Sequence, residues 1–101
     1  MYRPMPIPLS PAVDDALGPL VPVLAELGLR PTRCQESRYF RNFEVVFAEA
    51  DRSVTIVRNR GRYSVRGERS ALEPFGLDCE FATPRALRPA LVAWLQASGA
   101  A

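Results

Sequence analysis

A chain of 101 residues with 48% hydrophobic and 24% charged side chains has enough apolar material for one core, and its composition is far from that of a disordered segment. All 13 positive charges are arginine, the chain contains no histidine, and the net charge of +2 is too small to imply nucleic-acid binding by itself. The absence of histidine removes the commonest general base and the usual partner of serine or cysteine nucleophiles.

The first nine residues, MYRPMPIPL, alternate proline with apolar side chains, and proline disfavours helix both at its own position and at the one before. The segment reads as an extended arm lying on the domain. Ser10 followed by Pro11 reads as an N-cap with proline at the first helical position, and Asp14 and Asp15 put negative charge in the first turn. Val13, Leu17, Leu20, Val21, Leu24 and Leu27 then recur at spacings of three and four, the pattern of a helix with one apolar face. Gly18 and Pro19 interrupt it, so the spacing predicts two short helices, the second ending near Leu27 with Gly28 just beyond its C-terminus.

From Thr32 onwards the period shifts to two. RCQESRYF (33–40) predicts a first strand, NFEVVFAEA (42–50) a second with Phe43, Val45 and Phe47 inward, and SVTIVR (53–58) a third with Val54 and Ile56 inward. Asn59, Arg60 and Gly61 suit a tight hairpin, from which RYSVR (62–66) returns with Tyr63 and Val65 inward. Ser70 is expected to cap a short helical turn, ALEPFG, and LDCEF (77–81) to form a brief last strand with Leu77, Cys79 and Phe81 on one side. Thr83 and Pro84 repeat the capping grammar before a terminal helix with Leu87, Leu91, Trp94 and Leu95 on its apolar face. Pro89 is expected to delay the regular helix until about Arg88, and residues 98–101 to form a frayed tail. Helical spacing assigns Trp94 to the core and not to an exposed anchor.

The expectation is one α+β domain over 1–101, with an antiparallel β-meander of three to five strands packed on one face by the N-terminal and C-terminal helices. Cys34 and Cys79 fit neither a redox pair nor a zinc site and read as two buried free thiols. No apolar run is long enough to span a bilayer and no secretion signal is apparent, so a cytoplasmic location without membrane attachment is expected.

No cofactor is implied: the glycines are scattered and no phosphate-cradling loop occurs. Two carboxylate pairs, Glu44 with Glu49 and Asp78 with Glu80, fall on strand positions expected to face solvent, a poor setting for paired acid–base chemistry. No catalytic residue is assigned. The one concentration of chemistry is RNRGRYSVRGER, where Arg58, Arg60, Arg62, Arg66 and Arg69 surround Tyr63. If the strands alternate faces, the first three meet at the hairpin tip and Arg66 extends the same surface. Such a patch suits an acidic protein surface or a nucleic-acid backbone; the plainer reading is a solvated hairpin whose charges keep a sheet edge from aggregating. An exposed edge also raises pairing with a second copy of the chain.

The order helix, FEVVF, VTIVRNRGRYSV, a GL-x-C-x-F segment and a closing helix ending in AWL resembles small bacterial α+β proteins and the immunity proteins of polymorphic toxins, over residues 35–97. The resemblance implies a non-catalytic protein that binds and neutralises one cognate toxin made by the same bacterium. Immunity proteins against nucleases are often acidic; the basic hairpin departs from that pattern and leaves the toxin class open.

Overall fold

The computed structural model describes residues 5–37, 42–49 and 51–99. The parts of the predicted elements at 1–4, 38–41, 50 and 100–101 lie outside them. Two short helices, α1 (Pro11–Leu17) and α2 (Leu20–Glu26), precede four strands, β1 (Arg30–Glu36), β2 (Phe43–Ala48), β3 (Ser53–Asn59) and β4 (Arg62–Arg66). A helical turn, α3 (Arg69–Leu72), runs into a 3-10 turn over Glu73–Phe75 before the long helix α4 (Pro84–Gly99). The strands form one antiparallel sheet in the order β1-β2-β3-β4, the expected meander.

Alternation within the strands sends the apolar side chains to one face. Val45, Phe47, Val54, Ile56, Tyr63 and Val65 are buried there against Val13, Leu17, Leu20, Leu24, Leu87, Leu91 and Leu95 of the helices. Every described strand residue of the other parity is half-buried or exposed. The fold is therefore a helical layer on one side of a sheet whose second face is bare among the described residues. Trp94 is half-buried against the core, as its spacing predicts.

The helix ends follow the sequence closely. Ser10 Oγ accepts from the Val13 amide at 3.3 Å, Pro11 opens α1, and Asp14 stands in the first turn. At the end of α2 the Leu29 amide donates to the Leu24 carbonyl and the Gly28 amide to that of Ala25, the paired bonds of a Schellman motif. Gly28 takes φ +87, the left-handed conformation that favours glycine, and a Cβ there would also displace the Glu49 carboxylate, 2.5 Å away.

Several expectations need correction. The first strand begins at Arg30, earlier than predicted, because the Schellman turn delivers an extended chain at once. Pro31 sits in this edge strand, where its missing N–H costs no ladder bond and its carbonyl accepts from the Ile7 amide of the arm at 2.8 Å. The LDCEF strand does not form. The Leu77 amide is taken by the Leu72 carbonyl in a second helix-ending turn, residues 78 and 79 bend, and only Phe81 pairs, through two 2.7 Å bonds to Tyr63.

Ser70 lies inside α3, whose N-cap is Glu68. Pro89 does not delay α4, which starts at Pro84 under a bond from the Ala86 amide to Thr83 Oγ1. An exposed proline at that depth forfeits one bond, to the Arg85 carbonyl, near the helix start where water reaches. The helix also runs to Gly99, into the segment expected to fray.

Both cysteines are free, but they are not both buried: Cys34 is half-buried on β1 and Cys79 is exposed in the bend after Leu77. Burial, helped by the charge of Glu36, pushes the Cys34 thiol above its ordinary range and starves it of thiolate. Iodoacetamide at neutral pH is therefore expected to label Cys79 first. Mass spectrometry of the partly labelled chain checks this; preferential labelling of Cys34 would contradict the placement.

Candidate interaction surface

The candidate arginines are carried by the β3–β4 hairpin and its exit. Residues 53–66 hold four arginines and no acid. The turn is tight because Arg60 at φ +54 and Gly61 at φ +78 both adopt the left-handed conformation that a two-residue hairpin requires. The Arg60 amide is also tied to Asn42 Oδ1 at 2.9 Å, which links the hairpin tip to the start of β2.

The arginines do not form one surface. Arg58 shares the parity of Val54 and Ile56 and lies on the helical side, its guanidinium 5.7 Å from the centre of the Tyr63 ring. Tyr63 is itself buried, meets Phe43 edge-on at 6.5 Å, and donates its hydroxyl to the Ala16 carbonyl at the end of α1. The ring and Arg58 thus fasten the hairpin to α1. Arg66 projects on the opposite, bare face, where its Nε lies 2.7 Å from Glu44 Oε1 of β2. With Arg66 two-thirds exposed, that pair orients the two side chains and adds well under about 1 kcal/mol. Arg69 has left the hairpin: it starts α3 and stands 3.8 Å from both Glu73 and Asp78.

Arg60 and Arg62 remain at the tip, exposed, and neither makes an ion pair among the described residues. Arg33 joins them in chemistry, exposed on the bare face of β1 opposite Val46. Arg33 opens the first strand predicted from sequence but was not counted with the hairpin arginines, because only the pairing of β1 with β2 brings it onto their face; its alternation with Cys34, which pairs with the core residue Val45, is the signal. The centre of this face is Val46, Thr55, Val57 and Ser64, all half-buried. A shallow depression bounded by Gln35, Glu44, Val57, Asn59 and Arg66 opens beside the Glu44–Arg66 pair.

Three of the four carboxylates weighed as pairs face arginines instead. Glu44 is on Arg66, Glu49 is on Arg52 at 2.7 Å, and Asp78 faces Arg69, while Glu80 is exposed. No group of three or more metal-ligating side chains occurs among the described residues. No helix among them is long and apolar enough to cross a membrane. Both sheet edges are partly occupied, β4 by Phe81 and β1 by Ile7, which shortens the backbone available for pairing with a second copy.

The architecture defines a two-layer α+β domain with a bare, arginine-bearing sheet face. Comparison of the chain with protein-family models, curated proteins and solved structures finds no match.

Proposed function

We propose that this chain is a non-catalytic, cytoplasmic protein-binding module of the immunity kind, which neutralises a cognate bacterial toxin by presenting the bare sheet face and hairpin end to it. The observation that carries the reading is the composition of that surface. Half-buried Val46, Thr55 and Val57 lie within a polar rim of Arg33, Glu44, Arg62 and Arg66. An apolar centre ringed by arginine-rich polar groups is the anatomy of a protein interface. Capture of the native protein from its producing cell tests it. A stoichiometric co-purifying chain is expected, and recovery of the chain alone from several lysates would count against it.

A second reading, a nucleic-acid-binding accessory protein, draws on the acid-free hairpin. It suffers from the loss of its aromatic platform. Tyr63, interleaved with the arginines in sequence, is buried with its hydroxyl engaged, and the bare face holds no aromatic side chain among the described residues. Titration with single-stranded and duplex oligonucleotides at low ionic strength separates the two: this second reading requires salt-sensitive binding lost on replacing Arg58, Arg60 and Arg62 with alanine.

A further inference from the structure

The hairpin tip breaks a local rule. Its first turn position adopts positive φ, where asparagine, aspartate or glycine is favoured, yet the residue there is Arg60, the one described non-glycine residue with positive φ. A long cationic side chain contributes nothing to such a turn. It is exposed, and among the described residues its guanidinium makes no hydrogen bond or ion pair that accounts for it. Residues held in disfavoured backbone regions by their surroundings cluster at functional sites.

The surroundings here do hold it. The Arg60 amide is fixed by Asn42 Oδ1, and the strands on either side are paired in register from Asn59↔Arg62 inward. A Cβ on Gly61 would meet nothing within 4 Å, so the turn is open on that side. Arg62 flanks it, exposed, and no acid lies anywhere in residues 53–66 to neutralise the pair. The backbone that carries these guanidinium groups is therefore already ordered, and binding does not bear the entropy of ordering it.

We infer that Arg60, with Arg62 beside it, is a pre-organised anchor that enters a carboxylate-lined recess on the partner protein. The inference rests on the protein-binding reading and narrows its chemistry. The partner presents clustered Asp or Glu side chains in a concave site, since a protruding turn meets a recess and the planar fork of arginine pairs bidentately with carboxylates. Arginines placed this way are enriched among the residues that dominate interface energetics.

The test uses the intact chain and a deca-glutamate peptide as the acidic probe, with a deca-thymidylate oligonucleotide as the competing class. Titration of the 15N-labelled protein is expected to shift the amides of Asn59 to Arg62 and Asn42 most, with affinity falling as salt rises. Arg60→Asn places a residue the turn prefers, so its melting temperature stays at or above that of the parent and any loss is not unfolding. That variant is expected to bind the peptide at least about tenfold more weakly, whereas Arg85→Ala, exposed on α4 in the helical layer, changes affinity less than about twofold. Equal binding by Arg60→Asn, shifts centred away from the tip, no binding to the peptide, or tighter binding of the oligonucleotide would each overturn the anchor. None of these outcomes bears on whether a protein co-purifies from the producing cell, so the anchor and the protein-binding reading fail separately.

Discussion

Replacing Arg52 by alanine is expected to lower the unfolding free energy by about 3 kcal/mol, far more than a surface arginine contributes. The side chain leaves the β2–β3 turn and runs beneath two helices. Its Nε lies 2.7 Å from Glu49 Oε1, and its two terminal nitrogens donate to the Leu95 carbonyl of α4 and the Leu27 carbonyl at the end of α2, each at 2.8 Å. Carbonyls near helix C-termini carry partial negative charge and lack some intrahelical donors, so a cation with several donors suits them. Removing it leaves the Leu27 carbonyl and Glu49 short of a donor together and takes the cation away from the C-terminal turn of α4. Lysine, with a single ammonium, cannot reproduce the three-way fork, and Arg52→Lys is expected to recover less than half of the loss. Equilibrium urea unfolding measures both; a cost below about 1 kcal/mol for the alanine variant would mean that Arg52 behaves as an ordinary exposed ion pair.

Phe47→Ala is expected to cost about 4 kcal/mol. Phe47 is fully buried on the interior strand β2, between Pro31 of β1 and Val54 of β3, with the helical layer above it. A ring removed from that position leaves a cavity that the sheet cannot close, because each neighbouring strand is held by its own ladder. In a domain of this size the melting temperature should fall by roughly 20 °C. Val46→Ala, one residue earlier but on the bare face, is expected to cost under about 1 kcal/mol. Comparable losses at the two positions would contradict a sheet covered on one side.

Much of this architecture is legible in the sequence because the signals are local. Ser10-Pro11 and Thr83-Pro84 state helix starts through capping, Gly28 states a helix end through its backbone, and Phe43-Val45-Phe47 states a strand face through alternation. What failed depends on longer-range bonds. LDCEF alternates like a strand, but the turn that ends at Gly76 claims Leu77 before it can pair. Pro31 looks like punctuation until an edge position makes its missing donor harmless. That Arg52 joins two helices separated by most of the chain is visible only once they are packed. The site was the least legible part for the same reason. Spacing placed Arg58 with Arg60 and Arg62 at the tip, but Arg58 has the parity of the core and is turned toward Tyr63. Arg66 and Arg69 found acids brought close by the fold. The sequence singled out five arginines as one patch, and two of them, at the tip, remain as the forward-facing pair.

The most direct test of the account is a paired capture from the producing cell, with the parent chain and a tip variant carrying Arg60→Glu and Arg62→Glu as baits. Both substitutions sit on exposed positions, and matched circular dichroism spectra and melting curves establish that the variant is folded. The account predicts one protein retained stoichiometrically by the parent chain and lost from the tip variant, with retention weakening as salt is raised. A parent chain recovered without a partner, or a partner held equally well by the charge-reversed tip, would contradict it.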